Sequence, residues 1–222
     1  MRLALFDLDG TLIPQDSDHA FGEFTIGLGW VDAGEFRCRN DGFFQDYQEG
    51  RLDIHAYVEF ATAAWRDRTP EELDRATATF LETVIEPMLK PVARELILGH
   101  QQAGDLVAII TATNDFVTRP IARLLGVDEL IATDLARDIA GRVTGRIAGV
   151  PCFRDGKVRR LQSWLAARDL LLDDFEHSTF YSDSTNDLPL LERVSHPVAT
   201  NPGPALERIA QDRGWPVLKL FA

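Results

Sequence analysis

The sequence is poor in cysteine and has no long apolar run. Its 222 residues include only Cys38 and Cys152, too few for a disulfide framework, and we expect both to be reduced packing thiols. No apolar stretch approaches the roughly 18 residues that a membrane span needs. The first apolar run has about five residues and is followed at once by acids, which predicts that it is not a signal peptide. We therefore expect a cytoplasmic protein.

Positive charge is also scarce. The chain has 23 Lys and Arg residues against 35 Asp and Glu residues, for a net charge of −12. This balance argues against a nucleic-acid or anionic-membrane surface. It still allows a small anionic substrate, because one local cation can outweigh the overall field. The length fits one large domain, or a domain with an insert, and we find neither an internal repeat nor a low-complexity tract.

The sequence pattern divides the chain into two regions. From residue 13 to about residue 89, apolar residues recur at helical spacing and no convincing strand interrupts them. Within this region Thr69, Pro70 and Glu72 predict a helix start with a capping box. After Pro91 strands and helices alternate. The predicted strands are 106–110, 130–133, 143–147 as half of a hairpin, 178–182, 197–199 and 217–220. The predicted helices are 92–102, 114–125, 157–168 and 205–211.

The alternation predicts an α/β fold. Strands that alternate with helices form a parallel sheet covered on both faces, which gives three layers. The helical block interrupts this series after its first strand. We therefore predict a core of residues 1–13 and 89–222 with an inserted helical cap of residues 14–88.

Two carboxylates follow the first predicted strand. Asp7 and Asp9 end an apolar run at i, i+2 spacing, so they can point the same way. Two like charges at one place are costly unless a cation or a proton lies between them. Gly10 then permits a tight turn. A solvated acidic turn on an edge strand is the alternative interpretation.

Other reactive side chains follow the later strands. Thr111 follows the second strand, Asp183 follows the strand at 178–182, and Lys157 begins a helix. Taken singly, these could be a turn residue, a helix cap and a surface cation. Ligands of parallel α/β sheets bind at the carboxyl ends of the strands. The occurrence of these three side chains together therefore predicts a site there.

In this order of motifs the chain resembles the haloacid dehalogenase-like (HAD) hydrolase superfamily over essentially its whole length. The motifs are Asp7-Leu8-Asp9-Gly10-Thr11, the strand that ends in Thr111, Lys157, and Asp183-Ser184-Thr185-Asn186-Asp187. The helical insert resembles a C1-type cap. With Asp155-Gly156-Lys157-Val158 it points to the phosphoserine-phosphatase-like branch (subfamily IB), and so to a Rossmann-like core.

The resemblance implies a Mg²⁺-dependent phosphatase that works through an aspartyl-phosphate on Asp7. Asp9 would transfer protons, and its presence argues against a dehalogenase, whose halide needs no proton. The implied metal ligands are the carboxylates of Asp7 and Asp183 and the backbone carbonyl of Asp9. Lys157 would offset negative charge and Asp187 would position Lys157 or a metal-bound water. The expected phosphate or substrate contacts are the Thr111 hydroxyl, the Ala112 N–H and the Asn186 side chain.

The cap is expected to read the leaving group. In phosphoserine phosphatases an acid shortly after the first motif holds the substrate's amino group, and Asp16 and Asp18 fall near that place. Those enzymes also carry a cap arginine for the substrate's carboxylate, where this chain has Ala61. The expected substrate is thus a small phosphorylated metabolite. It would be phosphoserine-like or histidinol-phosphate-like, the second having an amine and no carboxylate.

Several points stay open in the sequence. A phosphotransferase or mutase, and a non-catalytic protein that binds a phosphorylated ligand, are the alternative functions. The five histidines show no ligand spacing and are expected to be structural or surface residues. Five cap aromatics could line the substrate side or form cap core: Trp30, Phe36, Phe43, Phe44 and Tyr47. Oligomeric state cannot be read from the chain.

Overall fold

Six parallel strands form the central sheet of the protein, for which a computed structural model describes residues 1–221. In chain order the strands are β1 Arg2–Phe6, β2 Leu106–Asn114, β3 Leu130–Thr133, β4 Leu135–Arg137, β5 Val143–Ile147, β6 His177–Ser182, β7 His196–Thr200 and β8 Val217–Leu218. The central sheet has the order β3-β2-β1-β6-β7-β8, and β4 and β5 form a separate antiparallel hairpin. The strand order reverses at β1, between β2 and β6, which is where ligands of such sheets bind.

Apolar side chains cover both faces of the sheet. On β1, Ala4 and Phe6 join one buried cluster, whereas Leu3 and Leu5 join the other. This alternation follows from the two-residue repeat of a strand. It also places Asp7, the next odd-numbered residue, on the side of Leu3 and Leu5.

The segment between β1 and β2 is helical, and further helices connect the later strands of the sheet. They are α1 Ser17–Gly27, α2 Ala33–Gln48, α3 Ile54–Ala63, α4 Pro70–Phe80, α5 Glu86–Met88, α6 Pro91–Gln102, α7 Asp115–Leu124, α8 Asp155–Ala166, α9 Leu188–Leu191 and α10 Pro204–Arg213. A π-helical turn, Leu81–Ile85, joins α4 to α5. The fold class is therefore α/β as predicted. The exact division into a core and a cap at residues 13/14 and 88/89 stays a prediction.

Local signals located the elements well and their ends less well. The capping box at Thr69 and Glu72 is present, and Asn114 caps α7 by accepting from the Val117 N–H. The predicted strand at 106–110 continues to Asn114, because Thr111 to Asn114 remain extended beside β3. The last strand ends at Leu218, two residues earlier than predicted.

The hairpin of β4 and β5 packs against helix α3. Only β5 was predicted, because β4 has three residues and no apolar pattern of its own. Within residues 1–221, no helix combines the length and apolar character that crossing a membrane requires.

Candidate active site

A buried lysine joins two carboxylates at the centre of the site. Lys157 lies in the first turn of α8 and is 1% exposed. Its Nζ donates to Asp7 Oδ1 at 2.9 Å and to Asp187 Oδ2 at 2.7 Å. Burial favours the neutral amine, but the charges of Asp187 and Asp7 outweigh it and raise the pKa of Lys157. Ser182, at the end of β6, donates to the same Asp187 oxygen at 2.7 Å and fixes it.

Asp7 and Asp183 form an acidic pair beside the first turn. Burial raises the pKa of Asp7 from its ordinary 3.8 to about 7, against the opposing charge of Lys157. Burial, followed by the charge of Asp7, also raises the pKa of Asp183. Thr11 donates to Asp183 Oδ1 at 3.1 Å. Gly10 has a φ of +73°, and a Cβ there would overlap the Asp183 carboxylate, so this close approach requires glycine.

Asp9 is held by two hydrogen bonds from different parts of the chain. The Ser17 N–H, at the start of α1, donates to Asp9 Oδ1 at 2.7 Å. The Thr113 hydroxyl, on β2, donates to Asp9 Oδ2 at 2.9 Å. Burial, with the charge of Asp16 adding to it, raises the pKa of Asp9 to about 7. A carboxyl group with a pKa near neutrality can both give and take a proton.

Thr111 and Ala112 lie beside Asp7 and Asp9 at the end of β2. Thr111 is buried, and both residues line the same cavity as the two aspartates. The Thr111 oxygen accepts from the Thr113 N–H at 3.2 Å, and Ala112 O accepts from the Thr133 hydroxyl at 2.7 Å. These bonds fix the strand end, where a hydroxyl and a backbone N–H can meet phosphate oxygens.

Asn186 spans from the site to the end of helix α2. Its Nδ2 donates to Tyr47 O at 3.0 Å, and its Oδ1 accepts from Arg154 Nε at 3.2 Å. The Arg154 guanidinium also donates to Gly50 O. The side-chain nitrogen and oxygen of Asn186 thus each have one protein partner, and its contact with phosphate or substrate stays a prediction. We name Asn186 and Arg154, with the carbonyls of Tyr47 and Gly50, the cap latch.

A cavity of about 30 Å³ lies between the strand ends and the helices that follow β1. A wider groove of about 1020 Å³ runs beside it and reaches Asp183. The cavity is lined by Asp7, Asp9, Asp16, His19, Asn40, Phe43, Phe44, Tyr47, Leu52, Ile54, Tyr57, Thr111, Ala112 and Thr113. Of the five aromatics singled out in the sequence, Trp30 and Phe36 pack in the core instead.

The two acids expected to hold a substrate amine occupy different surroundings. Asp16 lines the cavity and caps α1, accepting from the His19 N–H at 2.8 Å. Asp18 is buried away from the cavity lining, and Asn114 Nδ2 lies 3.1 Å from both of its oxygens. The nearby Tyr57 hydroxyl opposes the rise in the pKa of Asp18. Burial raises the pKa of each aspartate to about 6. Of the two aspartates, Asp16 is the one that lines the cavity, and contact of either with a substrate stays a prediction.

Within residues 1–221, no arginine or lysine lines the cavity. Ala61 packs against the core on α3. Arg51 pairs with Asp46 and Glu49 at the surface, and Arg66 and Arg68 border a separate cleft beside the hairpin. His19, expected to be structural, does line the cavity, where its Nε2 lies 2.8 Å from Asp41 Oδ1.

The donor set fits a magnesium ion. The described residues hold no group of three or more His, Cys, Asp or Glu side chains arranged as a metal cage. The site offers the two repelling carboxylates of Asp7 and Asp183 and the nearby backbone of Asp9. Mg²⁺ is typically bound by one or two carboxylates, with water and substrate phosphate completing its shell. The pKa values of both carboxyls are raised, chiefly by burial, and such an ion would stabilise their charged forms.

No local sequence pattern marks Thr113 or the Arg154 part of the cap latch. Thr113 lies in the part of β2 that extends past Ile110, where the pairing with β3 shifts register. The strand was expected to end at Ile110, so Thr113 was not predicted. Arg154 and Tyr57 meet the site only through the packing of distant helices, and no local signal marks them.

The parallel sheet brings the carboxylates of Asp7 and Asp9 and the buried Lys157 together at one edge. A family model described as haloacid dehalogenase-like hydrolase matches residues 4–192. The chain belongs to this family, in its phosphoserine-phosphatase-like branch, and it is a phosphatase.

Two curated relatives are similar over nearly all of this chain. A histidinol-phosphatase of Neisseria meningitidis serogroup C is 45% identical over 217 residues, covering 98% of each chain. The phosphoserine phosphatase SerB1 of Mycobacterium tuberculosis is 33% identical over 224 residues, covering 96% of this chain and 69% of the relative.

Solved structures share the fold. A protein of unknown function from Bordetella pertussis superimposes with a TM-score of 0.93 at 50% identity and covers 99% of each chain. A substrate-bound phosphoserine phosphatase superimposes with a TM-score of 0.68 at 18% identity, covering 97% of this chain and 91% of that one. At that identity the second likeness concerns the fold alone.

Proposed function

We propose that the protein is a Mg²⁺-dependent phosphatase that hydrolyses a small phosphate monoester with a cationic leaving alcohol, histidinol phosphate in preference to phosphoserine. The observation that carries the substrate choice is the lining of the cavity: acids and aromatic rings, with no arginine or lysine among the described residues. Such a lining favours an amine and offers no arginine or lysine to pair with a carboxylate. The 45% identity to a histidinol-phosphatase supports the same choice.

Asp7 is the proposed nucleophile. One of its oxygens attacks phosphorus, the ester P–O bond breaks, and the proton of Asp9 goes to the leaving oxygen. Water then attacks the aspartyl-phosphate and gives a proton to Asp9, which frees Asp7 and inorganic phosphate. These two roles need two adjacent carboxylates, and the position of Asp7 and Asp9 just after β1 supports the proposal.

The charge of the phosphoryl group is offset by groups aimed at the same place. Lys157 holds Asp7 in position and supplies one positive charge. The Thr111 hydroxyl and the Ala112 N–H donate to phosphate oxygens. Asp7, Asp183 and the Asp9 carbonyl would hold Mg²⁺, which neutralises phosphate charge and orients the substrate. Asp187 acts through Lys157, to which it is bonded at 2.7 Å.

The leaving group would lie against the cavity side of the cap. Asp16 receives the substrate's amine, and His19, Phe44 and Tyr47 surround its apolar part. Asp18 would act indirectly, through the nearby Tyr57 that lines the cavity. The cavity of about 30 Å³ holds only about two waters, so we expect the substrate to enter through the adjoining groove with a movement of the cap.

Two assays test this proposal. With Mg²⁺, phosphate release is measured on histidinol phosphate, phosphoserine, amino-alcohol phosphates and sugar phosphates, and we expect the highest kcat/KM for histidinol phosphate. Asp7→Asn is expected to abolish hydrolysis of every ester, including p-nitrophenyl phosphate. Preference for phosphoserine would overturn the substrate assignment alone, and turnover by Asp7→Asn would overturn the mechanism. Added glycerol, followed for glycerol phosphate, separates hydrolysis from phosphoryl transfer.

A further inference from the structure

The Asp9 carboxylate has a second anchor, outside the four motifs of the family. The Thr113 hydroxyl donates a hydrogen bond to Asp9 Oδ2 at 2.9 Å, while the Ser17 N–H donates one to Asp9 Oδ1. A hydrogen bond to each oxygen fixes the rotation of the carboxylate plane, and bonds to a charged acceptor are roughly twice as strong as neutral ones.

The two hydrogen bonds to Asp9 come from different parts of the fold. Ser17 begins helix α1 in the segment inserted after the first motif, so its position follows the cap. Thr113 belongs to β2, which pairs with β1 and β3 inside the sheet. Its own N–H is bound to the Thr111 hydroxyl oxygen at 3.2 Å, which fixes the strand end. The Thr113 bond therefore keeps Asp9 aligned with the core whatever the cap does.

We propose that Thr113 is a positioning residue that holds the Asp9 carboxylate in line with the leaving oxygen of the substrate. This inference rests on the proposed function, in which Asp9 protonates that oxygen. Proton transfer requires a heavy-atom separation of about 2.6–3.2 Å and contributes about 10²–10⁴-fold to rate. A carboxylate held by one bond instead of two spends less time within that reach.

Comparison of two kinds of ester distinguishes a positioning role from a merely structural one. The leaving groups of alkyl phosphates such as histidinol phosphate and phosphoserine are strongly basic alkoxides, which need a proton to leave. The leaving group of the aryl ester p-nitrophenyl phosphate is a weakly basic phenolate, which needs the proton little. Thr113→Val is expected to lower kcat/KM for the alkyl esters by about 10- to 100-fold, a part of the general-acid contribution, and to leave p-nitrophenyl phosphate nearly unchanged.

Two matched variants complete the test. Thr113→Ser keeps the hydroxyl and should restore alkyl-ester activity. Thr118→Val removes another buried hydroxyl, one that donates to Asn114 O at 2.8 Å and does not touch Asp9, and should not discriminate between the two ester types. Equal losses on both esters, a change confined to KM, or full activity of Thr113→Val would each overturn the inference.

Asp9→Asn separates this inference from the proposal beneath it. If Asp9→Asn discriminates strongly between alkyl and aryl esters while Thr113→Val does not, the positioning role alone fails. If Asp9→Asn does not discriminate, the proton-transfer role of Asp9 fails, and the assignment of Thr113 fails with it.

Discussion

Lys157 carries a positive charge at a point where water cannot reach it. Its side chain is 1% exposed, and both of its short contacts are to carboxylates, Asp7 and Asp187. A buried ion pair contributes little net stability when complete, but the loss of one partner leaves an uncompensated charge. Lys157 is therefore needed for the fold as well as for the proposed chemistry.

We predict that Lys157→Met inactivates and destabilises the protein. Removal of one partner of a buried ion pair costs about 3–5 kcal/mol, and activity falls because Asp7 loses its bound cation. The double variant Lys157→Met with Asp187→Asn should recover part of the thermal stability, since one orphaned carboxylate is gone, and no activity. Thermal melts and kcat on p-nitrophenyl phosphate measure both. A single variant as stable as the wild type would contradict the argument.

The residues of the site differ in how far the sequence could predict them. Asp7, Asp9, Lys157 and Asp183 follow from residue type and position at predicted strand ends, and the structure brings them to one edge. Their roles stay predictions. Asp18 could not be separated from Asp16 in the sequence, because both lie just before or within the first turn of α1. Only the helix's packing turns Asp16 to the cavity and Asp18 to Asn114.

At the scale of elements, the cap latch ties the end of α2 to the loop before α8. Arg154 has a φ of +53°, which side-chain-bearing residues rarely adopt. This backbone directs its guanidinium to Gly50 O and Asn186 Oδ1. Loop and helix end are far apart in sequence, so the latch forms only when the end of α2 packs against the loop before α8.

We predict that Arg154→Gly lowers kcat/KM for alkyl phosphates about tenfold. Glycine accepts the positive φ, so the change removes the guanidinium without straining the backbone, and loss of about 1.4 kcal/mol of cap closure corresponds to a factor of ten. Arg159→Ala, an exposed arginine one turn into α8, is the control and should behave as the wild type. Unchanged kcat/KM in Arg154→Gly would show that the latch does not contribute to closure.

The elements themselves were predictable where a local signal exists. Capping residues, glycines after helices and apolar β-branched runs located most helices and strands, because these features act within a few residues. Strand β4 and the extension of β2 past Ile110 were not predictable in this way. Both are stabilised by pairing with β5 or β3, and pairing depends on partners elsewhere in the chain.

At the scale of the whole molecule, negative charge converges on one place. The chain has a net charge of −12, and five aspartates near the cavity have raised pKa values: Asp7, Asp9, Asp16, Asp18 and Asp183. Burial is the largest cause for each of them. Within the described chain, Lys157 is the fully buried cation that faces this group.

This charge pattern fixes the sign of the pH dependence of stability. The pKa values rise from an ordinary 3.8 to about 6 for Asp16 and Asp18 and to about 7 for Asp7 and Asp9. Between about pH 4 and pH 7 the folded chain thus holds more protons on these groups than the unfolded chain does. Their contribution to the free energy of unfolding falls as the pH rises through that window.

We predict that Mg²⁺ reverses this loss. The ion binds ionised carboxylates in place of the protons. It therefore stabilises the fold most at the higher pH values, where the free energy of unfolding of the metal-free protein is lowered most. Thermal melts with MgCl₂ or with EDTA should show a rise in Tm of several degrees at pH 8 and a much smaller rise at pH 5.5, with NaCl at matched ionic strength as the control for screening. Asp183→Asn should lose most of the magnesium response while keeping its fold. A magnesium shift of equal size at both pH values would mean that the ion does not compete with protons at this site.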